Sequence, residues 1–136
     1  WIEHEAFKVG LELDQTTDFI AARIPRFSQY VTRADSARPE SISYLKRHGL
    51  PRIAPAEKGR GSVEDGISFI KSFRKIYIHP RCREVINEFR SYSYKIDRLS
   101  GDVLPDVVDA FNHGIDALRY SLEPVMKNRR PFNIKL

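Results

Sequence analysis

The chain has 136 residues, 41% of them hydrophobic and 30% charged, which is the size and make-up of one globular domain able to bury a core. No apolar run is long enough to cross a bilayer, no signal-peptide pattern is present, and the single cysteine, Cys82, rules out an internal disulfide. The formal net charge of +5 points to a polyanionic partner, nucleic acid above all.

Trp1 to Val9 reads as a strand ending near Gly10. Because it begins without a lead-in, and at Trp1 rather than Met, the expectation is a piece of a longer polypeptide. Asp14 to Ala22 suits a short helix broken at Ile24-Pro25. Tyr30-Val31-Thr32 favours a strand that runs into Asp35-Ser36, with Ser36 as N-cap of a helix. That helix spans Pro39 to His48, carries Ile42 and Leu45 inward and stops at Gly49. Arg52 to Ala56 is a short strand, followed by the basic loop Glu57 to Ser62. Ser62-Val63-Glu64-Asp65 reads as a capping signature for a helix that buries Ile67, Ile70 and Phe73.

Lys75 to His79 is the next strand, stopped by Pro80. A helix from Arg83 to Ser91 shows Val85, Ile86 and Phe89 as its stripe, and Tyr92 to Ile96 extends as a strand. Ser100-Gly101-Asp102 is a turn. The spacing of Val108, Phe111, Ile115, Leu118 and Leu122 predicts a last helix from Pro105 to Leu122, ended by Pro124 and followed by the basic tail Lys127 to Arg130. Strands alternating with helices define an α/β fold with some parallel pairing, in one domain over residues 1–136.

Two carboxylates stand out. Asp35 lies at a strand-to-helix junction, where α/β folds bind ligands, though an ordinary turn residue fits there too. Asp116 borders the apolar face of the last helix, with His113 one turn earlier; a solvated polar face is the plainer account. Carboxylates brought together either raise a pKa or bind a cation, and hard cations such as magnesium take such ligands. Neither zinc spacing nor a Gly-x-Ser-x-Gly elbow competes. Lys58 and Arg60, among glycines, are placed to meet phosphates, or simply form a surface loop. Glu40 and Asp65 fit helix starts better than ligand positions.

Four stretches, taken in order, resemble one family. They are Arg33-Ala34-Asp35-Ser36-Ala37-Arg38-Pro39-Glu40-Ser41-Ile42; Ala56-Glu57-Lys58-Gly59 with Ser62 to Ile67; Asn87-Glu88-Phe89 before Tyr92-Ser93-Tyr94-Lys95; and Asn112-His113-Gly114-Ile115-Asp116-Ala117-Leu118-Arg119-Tyr120. Together they look like the C-terminal nuclease domain of the large terminase subunits of tailed bacteriophages.

The resemblance implies a ribonuclease H-like mixed sheet flanked by helices. It implies a two-metal endonuclease, using Mg2+ or Mn2+, that cuts concatemeric viral DNA during genome packaging. Asp35 and Asp116 match two of the three metal-binding aspartates of that family, and His113 a histidine that accompanies the third. The first aspartate has no match in this chain, nor do the first strands of the sheet, so the expectation is a partial domain whose catalysis needs residues from elsewhere. The family's ATPase is absent as well, since there is no Gly-x-x-x-x-Gly-Lys-Ser/Thr loop. Implied partners are double-stranded DNA, the terminase ATPase domain, the portal and the small terminase subunit, in the cytoplasm of an infected bacterium and with no membrane. Two alternatives stay open: a non-catalytic DNA- or portal-binding fragment, and another ribonuclease H-like nuclease such as a junction resolvase.

Overall fold

The computed structural model describes residues 1–92, 94–96, 99–100, 103–107 and 112–128. After a 3-10 turn at Leu13–Gln15, the elements are α1 (Thr16–Ala21), β1 (Thr32–Ala34), α2 (Pro39–Arg47), β2 (Ile53–Pro55), α3 (Ser62–Lys71), α4 (Arg83–Ser91), β3 (Tyr94–Ile96), β4 (Val103–Val107) and α5 (His113–Asn128).

Among the described residues these strands form two small sheets. β1 and β2 pair in parallel, with Thr32 opposite Ile53 and Ala34 opposite Pro55. β3 and β4 pair antiparallel, with Tyr94 opposite Val107 and an irregularity before Ile96. The core gathers where α5 packs against α3, α4 and β1. Leu50, Ile53, Ile67, Phe69, Ile70, Val85 and Ile115 are buried there, beside Cys82, which is fully enclosed. Burial pushes the Cys82 thiol up from its ordinary pKa, consistent with a packing role.

Several expectations are corrected. Trp1 to Val9 is not a strand: only Ile2 bridges, in parallel, to Ile78. The residues that follow are tied to helices instead, Glu5 by hydrogen bonds to the start of α4 and Phe7 against His113. For the same reason Lys75 to His79 contributes just that bridge. The strand before Asp35 starts at Thr32, leaving Tyr30 and Val31 exposed. Ser36 does not cap α2. Arg38 holds that position, while the Asp35 carboxylate accepts the Ala37 N–H at 2.7 Å and shapes the turn itself. Gly61, at φ +79°, takes the position before α3, and Ser62 is its first helical residue. Phe69 rather than Phe73 is the third buried residue of α3, with Phe73 edge-on to it.

The last helix is shifted toward the C-terminus. Residues 103–107 form β4, since Val103 and Val107 favour a pleated surface and Pro105 is tolerated in a two-stranded edge. Val108 and Phe111, expected on the helix face, lie outside the described residues, as do Gly101, Asp102, Arg129 and Arg130. Pro124 does not end α5 but sits inside it. The last turn continues past it, with Glu123 accepting the Glu57 N–H at 3.0 Å and pairing with Lys127 at 3.0 Å, an i,i+4 contact that spans the proline. Gly49, by contrast, ends α2 as expected, at φ +104°, a conformation that L side chains rarely adopt.

Candidate active site

The parallel pairing of β1 and β2 builds the site. Parallel strands bring their C-terminal ends to the same edge, so the loops that leave them run side by side. The ladder is extended by the Ala56 N–H, which donates to the Ala34 carbonyl at 2.7 Å. Asp35 follows β1 and Lys58 follows β2, and their side chains meet: Lys58 Nζ lies 2.6 Å from Asp35 Oδ1. The Lys58 ammonium, and then the Ala37 amide, hold the Asp35 carboxyl below the usual carboxylate range. Asp35 in turn raises Lys58 above the usual lysine range.

The helix α5 closes the site from above. Its Tyr120 is the smallest of the influences that hold the Asp35 carboxyl low. Its Asp116 carboxylate adds to the field that keeps Lys58 charged. Asp35 and Asp116, taken from distant parts of the sequence, thus act on one ammonium. Asp116 is oriented by Arg119, whose Nε and Nη2 donate to Oδ1 at 3.2 and 2.7 Å. Arg119 is buried beneath α3 and also donates to the Ser62 carbonyl at 3.3 Å. Further along α5, burial pushes the Glu123 carboxyl up, but the Glu57 amide and Lys127 bring it below its ordinary value overall.

Of the expected site residues, Asp35 and Lys58 meet, while Asp116, on α5, is paired with Arg119 and reaches Lys58 only as a weak electrostatic influence. Arg60 is exposed in the turn that leads into α3. His113 is exposed and turns toward Phe7, with ring centroids 6.3 Å apart. There it borders a largely apolar cavity of about 530 Å³, lined also by Ile20, Ile24, Phe27 and Leu50. Arg119 and Glu123 are residues near the site that spacing did not single out. Tyr120 shares a helix face with Asp116, which is its one sequence signal. Arg119 and Glu123 look like ordinary solvated helix charges until the packing of α3 and of the loop after β2 is known.

The donors fit a hard divalent cation. Carboxylate oxygens, with no thiolate or imidazole among them, suit Mg2+ or Mn2+ rather than zinc, and Mg2+ is commonly held by one or two carboxylates with other oxygens completing its shell. Among the described residues no group of three or more His, Cys, Asp or Glu side chains assembles. The described residues therefore offer Asp35 with its ammonium partner Lys58, and Asp116 held by Arg119.

A ribonuclease H-like α/β domain with one carboxylate at a strand end and a second on the helix packed against that strand is the class that this fold and site define. Residues 1–124 match the model of the terminase RNase H-like domain family, and the chain belongs to that family. It is 39% identical over 119 residues to the terminase large subunit of Bacillus phage SPP1, covering 86% of this chain. It is 33% identical over 110 residues to the PBSX phage terminase large subunit of Bacillus subtilis, covering 79% of this chain. The matches span 28% and 25% of the lengths of those two relatives. Among solved structures, the g2p large terminase nuclease domain of bacteriophage SPP1 with bound Mn superposes with a TM-score of 0.76 at 36% identity, over 85% of this chain and 65% of that one.

Proposed function

We propose that this domain is the nuclease portion of a phage large terminase and cuts concatemeric DNA with Mg2+ or Mn2+. The observation that carries the reading is the Asp35–Lys58 ion pair at the C-terminal end of the β1–β2 pair, with Asp116 on the helix that packs against β1. The Mn in the SPP1 nuclease domain supports the same choice of cation.

In this reading Asp35 and Asp116 hold the metal, together with an aspartate from outside this chain. Bound divalent cations would activate water and stabilise the oxygens of the scissile phosphodiester. Lys58 and the Ala37 amide hold Asp35, and Arg119 holds Asp116. Lys58 and Arg60 contact the DNA backbone, which requires no base reading. His113 orients water or carries a proton once substrate is bound. One nuclease domain spans residues 1–136, and the ATPase domain, portal and small terminase subunit are its partners in the host cytoplasm.

The test is nicking of supercoiled plasmid by the full-length large subunit carrying this domain, with Mn2+ supplied. Asp35→Asn and Asp116→Asn are each expected to abolish nicking and weaken Mn2+ binding. Full activity in Asp116→Asn removes the assignment.

A second reading, a non-catalytic DNA- or portal-binding piece, draws on the lack of a three-ligand cluster among the described residues. Metal titration separates the two. DNA binding that is indifferent to Mn2+ favours the second.

A further inference from the structure

The helix that carries Asp116 and His113 begins against another helix. Glu88, on α4, sends Oε2 to the first turn of α5, where the Gly114 and Ile115 N–H groups donate to it at 2.7 and 3.0 Å. Glu88 is only 6% exposed. The unpaired amides of a helix start carry partial positive charge, so a buried carboxylate there is favourable on both hydrogen-bonding and dipole grounds. The usual source of such a cap is a side chain just before the helix; here the same need is met from a different element.

The close approach depends on Gly114. A Cβ at that position would stand 2.9 Å from Val85 Cγ2 and 3.0 Å from Glu88 Oε2. Val85 and Glu88 lie three residues apart on one face of α4, so that face both packs under Gly114 and caps the helix. The arrangement repeats one step earlier. Glu5 accepts the Glu84 and Val85 N–H groups at 3.1 and 3.0 Å, at the start of α4, where the local N-cap residue Cys82 gives no capping side-chain hydrogen bond.

We infer that Glu88 is a positioning residue for the proposed metal site: its cap on Gly114 and Ile115 sets the angle and register of the α5 turn that presents Asp116. This inference rests on the metal-site reading above. Groups that orient metal ligands govern affinity without touching the ion, and losing one costs about 10–100-fold in metal binding.

The experiment measures Mn2+ affinity by electron paramagnetic resonance of the free ion, without DNA, on the full-length large subunit. Amide exchange over residues 113–118 and the melting temperature are followed in parallel. Glu88→Asp keeps the charge and withdraws the oxygen by one methylene; Glu88→Gln keeps the reach and removes the charge. Glu88→Asp and Gly114→Ala are expected to weaken Mn2+ binding about tenfold, with faster exchange at the start of α5, while Glu88→Gln stays within about threefold of the parent. Affinity retained in Glu88→Asp, or lost equally in a folded Glu88→Gln, overturns the inference while Asp116→Asn still loses Mn2+. If Asp35→Asn and Asp116→Asn both bind Mn2+ like the parent, the metal-site reading fails and this inference falls with it.

Discussion

Asp35 and Lys58 meet at 2.6 Å because the strands that precede them are parallel and in register, Ala34 opposite Pro55. The pair is half-exposed, with side-chain exposures of 51% and 45%, so it adds little to stability, about 0–1 kcal/mol. Its value lies in the charge it keeps at the strand ends. A cation entering the site must displace an ammonium, and a polyanion approaching the site finds that ammonium charged.

Two effects of opposite sign therefore follow from Lys58→Met. DNA binding is expected to weaken, and the slope of log affinity against log salt to fall by about one. Mn2+ binding in the absence of DNA is expected to tighten, because Asp35 no longer exchanges one cation for another. A melting temperature close to the parent checks that the fold is intact. A salt titration and a metal titration on the same preparation test both. Weaker Mn2+ binding would place Lys58 among the groups that order the site rather than among its competitors.

Much of this site is legible in the sequence, but its pairings are not. Asp35 and Lys58 are each visible as residues at strand ends, yet their contact depends on a strand register that no local pattern encodes. Tyr120 shares a face with Asp116, but the packing of α5 against β1, which brings Tyr120 into the surroundings of Asp35, is not written in that spacing. Glu88, Arg119 and Glu123 have the residue types of a solvated helix face and are buried at 6%, 8% and 7% exposure. Burial of charge is decided by what packs on top, which periodicity does not report. Periodicity also extends the last helix back to Pro105, because a 3.6-residue spacing carries no stop signal. The β3–β4 pairing wins over residues 103–107.

Glu123 carries a pH prediction. Its folded carboxyl titrates below its ordinary value, since the Glu57 amide and Lys127 together outweigh burial. A depressed carboxylate contributes stability that is fully present above the unfolded pKa, about 4.3, and is lost as pH falls through the lower folded value. Glu123→Gln is thus expected to flatten the stability profile in that acid range and to cost stability at neutral pH. The Lys127 partner is largely surface-exposed, so the loss at neutral pH is about 1 kcal/mol and comes mainly from the Glu57 amide contact. Urea midpoints measured from neutral pH down to the acid limb give the curve, and equal acid slopes for parent and variant would contradict the assignment.

Arg119 offers the sharpest mechanical test, because the space it occupies is set by a missing side chain. A Cβ at Gly66, on α3, would stand 2.9 Å from Arg119 Cδ and 3.2 Å from Cγ. Gly66→Ala must therefore push the arginine stem and disturb the fork on Asp116. Alanine also favours the helix over glycine by about 1 kcal/mol, so propensity and packing oppose one another. Overpacking of a buried site costs about 1–3 kcal/mol, and the packing cost is expected to win, for a net loss of about 1 kcal/mol. Arg119→Met instead removes the fork, leaving the Ser62 carbonyl and Asp116 without their donor, at a cost of about 1–3 kcal/mol. In the double variant the methionine gives way more readily than the arginine fork, so Gly66→Ala should no longer destabilise and its helix propensity should show as a small gain. Thermal melts of the four proteins close the cycle. An additive result would mean that Gly66 is present for some reason other than the room it leaves for Arg119.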